Sequence, residues 1–249
     1  MAAAIEIRDL AGDADYAACI DLQKETWGVR FSDVVPANLL RVAQRVGGLA
    51  AGAFEQGRLV GFVFGLSGFM AGEVIHWSDL LAVRPAERGR GIGELLKRYQ
   101  RETLLARGIE RVHWSFDPLD AKNAHINFNR LGVFAREYVV DMYGDTDSPL
   151  HSGIGTDRLI AVWQLESERV RSRLAGREPQ EAGRLAQVCV EIPGDIHALN
   201  RADPRLAREW RERTRALFLK YLPDHVVSGF SREGGSGYYR LTSAETFEA

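Results

Sequence analysis

The spacing of hydrophobic and polar residues over the first two thirds of the chain predicts a sheet with helices packed on it. Apolar residues alternate in strand-like runs and recur every three or four positions in helix-like runs. The pattern predicts strands at about 4–10, 49–55, 58–67, 73–83, 112–116, 136–143 and 158–165. Helices are predicted at about 13–26, 36–46, between Gly93 and Gly108, and at 120–131. The element order is that of a mixed α/β (α+β) protein with three consecutive antiparallel strands.

The pattern changes after residue 165. Glu and Arg are frequent at 166–182, with Ser167, Ser172, Gly176 and Pro179 among them, which predicts an exposed linker. Beyond it the spacing predicts a strand at 185–192, a helix at 204–221 and strands at about 224–231 and 237–242. This tail repeats the strand-helix-strand-strand order of 111–165 and indicates a half-domain built on the same plan. We therefore expect a domain at 1–165, a linker at 166–182 and an extension at 183–249.

Composition excludes several classes of function. The 249 residues are 45% hydrophobic and 27% charged, as in ordinary globular proteins. A net charge of −2 creates no field that draws the protein to nucleic acid or anionic lipid. No apolar run approaches the roughly 20 residues that cross a bilayer, and the N-terminus lacks the features of a signal peptide. Cys19 and Cys189 stand far apart, so we expect buried free thiols in a reducing cytoplasm.

A turn rich in glycine and arginine, Arg88-Gly89-Arg90-Gly91-Ile92-Gly93, joins the strand at 73–83 to the next helix. Glycines let backbone N–H groups converge, and a helix N-terminus adds a positive dipole end, which together favour a bound phosphate. Arg88 and Arg90 can add charge-assisted hydrogen bonds. A dinucleotide-binding unit would place such a turn after the first strand, and a P-loop needs Gly-Lys-Ser/Thr. The remaining alternative is a plain strand-to-helix turn with solvated arginines.

The residues around this turn resemble a known family. Leu81-Ala82-Val83-Arg84-Pro85 followed by Arg88-x-x-Gly91-x-Gly93 resembles the acyl-CoA signature of the GCN5-related N-acetyltransferase (GNAT) superfamily. The element order from 4 to 165 is similar to that superfamily's whole fold. More narrowly, a second group of residues resembles a bacterial subfamily of predicted acyltransferases with a C-terminal extension. These residues are Trp114-Ser115-Phe116-Asp117-Pro118-Leu119, Asn123-Ala124, Asn127 and Leu131-Gly132. The resemblance implies a mostly antiparallel GNAT-like sheet flanked by helices, followed by a smaller C-terminal αβ half-domain.

The resemblance also implies how acyl-CoA would bind. The backbone amides of Arg88, Gly89, Arg90, Gly91, Ile92 and Gly93, with the Arg88 guanidinium, would hold the pyrophosphate. The strand edge at Leu81, Ala82 and Val83 would pair with the pantetheine arm. An N–H near Leu81 would polarise the thioester carbonyl. Asn123 matches a residue that contacts the pantetheine or thiol end, but it fits equally well a helix cap or turn residue after Pro118.

Attack on a thioester requires a neutral amine, so a base must remove a proton. We predict that Asp79 is this base, because some superfamily members place a histidine or acid at this point of the strand. Strict alternation would put Trp77, Asp79 and Leu81 on one face. The alternative for Asp79 is an ordinary edge-strand aspartate. Glu73 and His76 are weaker candidates for the base.

The general acid departs from the family pattern. Many members carry a tyrosine four residues before the glycine that ends the helix, and here that position is Phe128. A phenyl ring donates no proton, so another group acts or the thiolate leaves unassisted. The polar groups that could substitute are Tyr138, Tyr143, His125 and Asn127.

The acceptor side is predicted from loops and charges. Loops at 27–35 and 144–157 should border the cleft, and Trp27, Arg30, Tyr143 and Arg158 could shape it, with an arginine binding a carboxylate. Asp117 could face the acceptor or form an Asp-Pro turn. No histidine or cysteine pair has ligand spacing, so we expect no metal. The arginines of 204–221 alternate with Glu209 and Glu212, which predicts a solvated helix face.

We therefore predict an acyl-CoA-dependent N-acyltransferase that moves an acetyl or succinyl group from CoA to a primary amine of a small molecule, such as an amino acid. A non-catalytic acyl-CoA sensor or scaffold and a protein-lysine acetyltransferase are the alternatives. Acyl-CoA and the amine are the expected partners, with neither nucleic acid nor membrane and with a homodimer left open. The expected location is the cytoplasm.

Overall fold

A computed structural model describes residues 4–29, 32–144, 153–178 and 188–247. These residues form two compact units whose boundary in the sequence falls between Val112 and His113. Within the described ranges, no helix is long and apolar enough to cross a membrane. Each unit is a mostly antiparallel sheet flanked by helices, which confirms the predicted mixed α/β, GNAT-like fold class.

The first unit contains an antiparallel sheet of four strands. Its elements are β1 (Glu6–Asp9), α1 (Gly12–Trp27), α2 (Ala37–Arg45), β2 (Leu49–Glu55), β3 (Arg58–Met70), β4 (Glu73–Val83) and α3 (Ile92–Ala106). The strands follow one another in the order β1-β2-β3-β4, as neighbouring antiparallel strands joined by short turns do. The predicted elements are therefore confirmed here, with β3 reaching three residues beyond its predicted end.

Two apolar layers cover the faces of this sheet. Helices α1 and α2 pack on one face, where Leu22 and Leu40 are fully buried with Phe62 of β3. Helix α3 packs on the other face through Ile92 and Leu96. The neighbouring Leu95 lies off this buried side, since its side chain is 41% exposed. The buried stripe of α3 consists of Ile92, Leu96, Lys97, Gln100 and Leu104.

The second unit contains a longer succession of strands and helices. They are β5 (Arg111–Phe116, which begins in the last residues of the first unit), α4 (Ala121–His125), a π-helix (Ile126–Leu131), β6 (Phe134–Val139), β7 (Arg158–Gln164), α5 (Glu168–Leu174), β8 (Val188–Pro193), α6 (Ile196–Ala202), α7 (Pro204–Tyr221), β9 (His225–Glu233) and β10 (Ser236–Ser243). The strands are ordered β5-β7-β6-β9-β10-β8. The helix predicted at 204–221 has the same bounds in the structure, whereas α6 was not predicted.

This strand order is a mirrored repeat. In the first half, β7 lies between β5 and β6, and in the second half β10 lies between β8 and β9, so in each half the third strand lies between the first and the second. The two halves meet where β6 pairs antiparallel with β9. Ala135 is opposite Val227 at this junction. The arrangement agrees with the half-domain plan inferred from the element order of the tail.

The predicted linker at 166–182 differs from the structure. Residues Glu168–Leu174 form helix α5, which Ser167 caps by accepting a hydrogen bond from the Val170 N–H at 3.3 Å. Arg169 is buried and donates to the Gly132 carbonyl at 3.1 Å and to the Ser228 carbonyl. The charged residues at 166–182 predict a solvated segment, but in the structure Arg169 donates hydrogen bonds to buried backbone carbonyl groups. The boundary predicted at 165 falls within the second unit.

Two arginines of α7 also contradict the predicted solvated face. Arg211 donates from one nitrogen to both oxygens of Asp117 at 2.9 Å, and both side chains are nearly buried. Arg215 contacts Asp157 at 2.6 Å. Asp117 also accepts a hydrogen bond from the Leu119 N–H at 2.8 Å, so this carboxylate joins the turn after β5 to α7. The structure supports the turn-forming alternative for Asp117.

The two cysteines differ in environment. Burial raises the pKa of the Cys19 thiol to about 12 and keeps it protonated. Cys189 is exposed, which corrects the expectation of two buried thiols. Its position on β8, near the edge of the sheet, explains the difference, since a strand can present alternate side chains to solvent.

Candidate active site

The glycine-rich turn connects β4 to α3 in the first unit. A short 3₁₀ turn, Pro85–Glu87, follows β4, and α3 begins at Ile92 with Gly91 as its N-cap. Gly89 and Gly91 have φ angles of +85° and +78°, which residues with a side chain rarely adopt. A Cβ atom added at either glycine would meet nothing within 4 Å. The first N–H groups of α3 therefore adjoin open space of the kind that a phosphate requires.

The two arginines of the turn have different partners. Arg90 pairs with Glu55 at 2.8 Å and with Glu87, and these hydrogen bonds raise its pKa. Arg88 donates from Nε to the Val83 carbonyl at 3.2 Å, and no carboxylate in the described ranges pairs with it. The Arg88 guanidinium is therefore the one oriented by the backbone without being neutralised.

Strand β4 contains a β-bulge at the predicted base. Leu80 is opposite Phe64 and Ser78 is opposite Gly65, so Asp79 has no partner on β3. Such an extra residue shifts the alternation of side chains along the strand. Leu81 packs in the apolar layer on the α3 face, where Ser78 contacts Lys97 of α3. The expectation that Trp77, Asp79 and Leu81 share one face is therefore wrong, because strict alternation does not pass through a bulge.

Asp79 is accessible to solvent, yet its carboxyl group is not in a water-like environment. The surrounding protein raises its pKa above the ordinary value, and a hydrogen bond from the Trp77 side chain opposes this rise. A raised pKa makes the carboxylate a stronger base. The strand position, the accessibility and the raised pKa all suit proton removal.

The weaker candidates for the base have other roles. Glu73 pairs with Arg111 and lies on the exposed end of β4. His76 is fully buried, and burial, with smaller effects from Lys97 and Arg107, lowers its pKa to about 3. Its ring is therefore neutral at physiological pH and has no route to solvent.

Leu81, Ala82 and Val83 continue β4 to the turn. They are opposite Val63, Phe62 and Gly61 of β3. Ala82 is buried, whereas Leu81 and Val83 are partly buried against the α3 layer. The role of this strand in holding pantetheine stays a prediction.

A buried polar network behind the bulge was not predicted. Lys97 donates to Ser78 Oγ at 2.8 Å and to Gln100 Oε1 at 3.0 Å, and Gln100 Nε2 lies 3.1 Å from His76 Nε2. Burial lowers the pKa of Lys97 to about 7. The sequence does contain one indication that Lys97 and Gln100 are buried: at helical spacing they lie on the same side of α3 as Leu96 and Leu104. The network joins α3, which begins at the turn, to the strand that carries Asp79.

The lowered pKa of Lys97 makes stability depend on pH. The ordinary value is 10.5, so between about pH 7 and pH 10.5 the unfolded chain binds more protons than the folded one. Stability therefore rises with pH from about 7 upward. We expect Lys97→Met to flatten this rise, so that the stability difference from the wild type changes by about 2 kcal/mol between pH 7 and pH 9. Urea unfolding at pH 7, 8 and 9 measures it.

Replacement of an exposed lysine, Lys122→Met, is the matched control and should leave the slope unchanged. Parallel pH dependences of wild type and Lys97→Met would show that Lys97 keeps its ordinary proton affinity in the folded protein.

In the second unit, Asn123 is not the cap of its helix. Asp120 caps α4 by accepting hydrogen bonds from the N–H groups of Lys122 and Asn123, both at 3.0 Å. The alternative that Asn123 caps the helix is therefore wrong. The residue that caps α4 is Asp120, in the turn after Pro118. A contact of Asn123 with pantetheine stays a prediction.

Phe128 belongs to the core of the second unit. It is fully buried, with its ring edge-to-face with Phe116 at 6.2 Å and with Tyr239 at 5.8 Å between centroids. A tyrosine hydroxyl at this position would need a buried hydrogen-bond partner. The departure from the family pattern therefore coincides with aromatic packing against β10.

The proposed substitutes for the missing acid differ in accessibility. Tyr138 donates to Asp157 at 2.5 Å, and burial with that carboxylate raises its pKa, which makes it a poor acid. Asn127 is buried. His125 is exposed, and its Nδ1 lies 2.9 Å from the Asn129 amide. Tyr143 is half exposed, and its hydroxyl lies 2.6 Å from Ser115 Oγ of β5.

The residues predicted to shape the acceptor cleft are partly brought together. The Arg158 guanidinium lies over the Tyr143 ring at 5.2 Å, and burial lowers the pKa of Arg158. Trp27 belongs to the first unit, where it packs edge-to-face on Phe62. Arg30 and most of the 144–157 loop lie outside the described residues. Among the described residues no three His, Cys, Asp or Glu side chains form a group that could hold a metal ion.

Comparisons with known proteins bear on this arrangement. Residues 16–132 match the family model described as the acetyltransferase (GNAT) family, a segment that includes Asp79, the 88–93 turn and Asn123. No curated protein sequence matches the chain significantly.

Several solved structures share the fold. The ribosomal-protein-S18-alanine N-acetyltransferase from Escherichia coli superposes with a TM-score of 0.50 at 16% identity, over 66% of this chain and 96% of that one. An N-acetyltransferase from Staphylococcus aureus Mu50 gives 0.50 at 15% identity, over 66% and 100%. Aminoglycoside 6'-acetyltransferase type Ii gives 0.51 at 19% identity, over 66% and 99%. At these identities the likeness concerns the fold alone.

Proposed function

Since residues 16–132 match the model of the acetyltransferase (GNAT) family, we propose that this protein transfers an acetyl or succinyl group from CoA to a primary amine of a small molecule. The family match and the fold support acyl-CoA-dependent N-acyltransferase activity in general. The observation that carries the specific proposal is the open turn at Gly89 and Gly91, where added Cβ atoms would enter free space beside a helix N-terminus. A phosphate group fits there, and a side chain would displace it.

The turn would bind the pyrophosphate of acyl-CoA. The backbone amides of Arg88 through Gly93 supply donors, and the Arg88 guanidinium supplies a charge that no carboxylate of the described residues neutralises. Arg90, which is paired with Glu55 and Glu87, would contribute through its backbone amide and hold the turn in shape. Leu81, Ala82 and Val83 would align the pantetheine arm.

The chemical step would use Asp79 and a backbone amide. The Asp79 carboxylate, directly or through a water, accepts the proton of the ammonium form and leaves a neutral amine. The amine nitrogen bonds to the thioester carbon, and an N–H near Leu81 stabilises the negative charge that develops on the carbonyl oxygen. The attacking nitrogen, now positively charged, releases its second proton to solvent as the carbon–sulfur bond breaks, and the thiolate takes a proton from solvent or from an accessible hydroxyl. Phe128 can take no part in this last step.

An amino acid is the acceptor class that the charges favour. The buried Arg158 guanidinium lies over the Tyr143 ring, the Tyr143 hydroxyl contacts Ser115, and an arginine can bind a carboxylate bidentately. The amine would then be presented at a defined distance from the carboxylate.

The setting proposed for the reaction is the cytoplasm, where acyl-CoA is available and the free thiols Cys19 and Cys189 stay reduced. A homodimer stays a prediction from the sequence.

Release of free thiol from acetyl-CoA and succinyl-CoA across a panel of amines tests the function. We expect turnover with one or more free amino acids and little with lysine-containing peptides. Turnover with peptides alone would identify a protein-lysine acetyltransferase. Tight CoA binding without thiol release on any amine would identify the sensor or scaffold, a reading that the buried Phe128 favours.

A further inference from the structure

The second unit contains a cavity of about 510 Å³ that shares no lining residue with the predicted acyl-CoA site. It is bordered by α4 and the π-helix, by the end of α5 and the turn after it, and by the β9–β10 hairpin. Five arginines and a histidine line it: His125, Arg130, Arg173, Arg177, Arg232 and Arg240. Its volume is typical of sites for small molecules.

Charge in this cavity is strongly unbalanced. Among the lining residues that the structure describes, Glu178 is the one acidic side chain, and it is 91% exposed. The five arginines therefore leave a local excess of four positive charges in a protein whose net charge is −2. Arginines that diverge into solvent repel each other little, but these line one cavity that is open to solvent.

Arg173 provides independent evidence that the cavity is built for a ligand. Its side chain is only 9% exposed, and it lines the cavity. Its Nε is buried without a hydrogen-bond partner among the described residues. Its one ion pair, with Glu178 at 3.3 Å, involves a carboxylate that is almost fully in water. A buried guanidinium N–H is costly to leave unsatisfied, so an incoming acceptor would be stabilised there.

Close packing positions a second arginine of this cavity. Arg240 of β10 is opposite Gly229 of β9, and a Cβ atom at Gly229 would lie 2.5 Å from Arg240 Nη2. The guanidinium therefore lies across the glycine backbone, where any side chain would displace it. Because Gly229 has no side chain, it leaves room for this guanidinium, and Arg240 also lines the cavity.

The pKa of His125 responds to the same concentration of positive charge in the cavity. Burial lowers its pKa, and Arg130, Arg232 and Arg173 lower it further. These arginines come from the π-helix, β9 and α5, so three separate elements direct positive charge at one imidazole. An anion among them would offset the repulsion and raise the His125 pKa.

We propose that this cavity binds a small polyanion, an organic molecule with at least two phosphate or carboxylate groups. Guanidinium groups recognise both oxyanions with paired, charge-assisted hydrogen bonds. One monovalent anion would leave most of the positive charge uncompensated, whereas two or more anionic groups would neutralise it. The volume of about 510 Å³ favours a small molecule over a nucleic-acid strand, which needs a basic groove that follows the backbone of several nucleotides.

Calorimetric titration of the full chain with inorganic pyrophosphate and with citrate, at constant ionic strength, tests the proposal. We expect saturable binding that Arg130→Gln and Arg232→Gln each weaken by about tenfold or more. Both arginines are exposed on the structure, so their replacement should leave the fold intact. Binding should strengthen as the pH falls through the His125 titration, because the bound anion raises that pKa.

Two controls separate this cavity from other anion sites. Arg208→Gln removes an exposed arginine of α7 outside the cavity and should leave the affinity unchanged. Gly229→Ala retains every charge but displaces the Arg240 guanidinium, and should weaken binding. The titrations are repeated with Gly91→Val, which blocks the phosphate turn, so that the two sites are counted separately.

Three results would overturn the proposal. The first is that neither probe binds saturably. The second is that Gly91→Val abolishes binding while Arg130→Gln and Arg232→Gln do not, which would assign the probes to the turn. The third is tighter binding of a single-stranded oligonucleotide through the same arginines, which would make the surface a nucleic-acid site. Failure of the thiol-release assay would leave this test unaffected, because it needs no acyl transfer.

Discussion

Replacing Gly91 by valine should abolish binding of CoA while the protein stays folded. Gly91 has a φ angle of +78° and caps α3, and a Cβ atom there would point into open space. The strain of a β-branched residue in this conformation costs about 1–3 kcal/mol, which a folded domain of this size tolerates. The side chain would fill the space that the pyrophosphate requires. Thermal shift with acetyl-CoA and calorimetry measure the loss.

Gly57→Val is the matched control for this substitution. Gly57 lies in the turn between β2 and β3 with a φ angle of +79°, and a Cβ atom there also meets nothing within 4 Å. The cost to stability should therefore be similar, while the affinity for CoA should be unchanged. Retained CoA affinity in Gly91→Val, with the fold intact, would remove the turn as the phosphate site.

Replacing Asp79 by asparagine should lower turnover by about 10²–10⁴-fold at neutral pH, the range that general-base catalysis commonly contributes. The affinity for acyl-CoA should stay the same, because the phosphate-binding turn is untouched. Activity should recover in part as the pH rises, since a growing fraction of the amine is then neutral without help. The rate of thiol release between pH 7 and pH 10, with kcat and KM measured separately, distinguishes these effects.

Glu73→Gln on the same strand is the matched control. Its carboxylate pairs with Arg111 at the exposed end of β4, so its loss should leave the rate and the pH profile unchanged. A wild-type rate in Asp79→Asn would exclude Asp79 as the base. A uniform loss at every pH, without recovery, would instead indicate that the asparagine disturbs the bulge.

The two substitutions separate binding from chemistry. Gly91→Val acts on affinity for CoA, and Asp79→Asn acts on the rate with CoA bound. If the protein is a sensor, only the first has a measurable effect, because no thiol is released in either case. If it is an enzyme, both do.

Much of the fold was predictable from local pattern. The helix at 204–221 was predicted with the bounds that it has, because Pro204 follows the capping residue Asp203 and the apolar positions recur at helical spacing. Strands β2 and β4 were also predicted with their observed bounds. Helix α5 was missed because its charged residues resemble a solvated linker, and Arg169 is recognisable as buried only once the Gly132 and Ser228 carbonyls lie beside it.

The candidate site divides in the same way. The turn at 88–93 was found from sequence because its chemistry is local: glycines, arginines and a helix start within six residues. The bulge at Asp79 was not, because it depends on which residues of β3 lie opposite, and no pattern within β4 specifies that register. The pairing of Arg211 with Asp117 likewise joins positions 94 residues apart.

The amino-acid sequence by itself determined the order of helices and strands up to residue 165, the match of residues 16–132 to the GNAT family and the position of the glycine-rich turn at 88–93. Each depends on side chains and backbone within a few residues of one another. Only the tertiary structure decided that Leu81 faces away from Trp77, that Lys97 is buried with a lowered pKa and that five arginines line one cavity. Burial, register and electrostatic fields arise from residues distant in the chain, and packing alone brings them together.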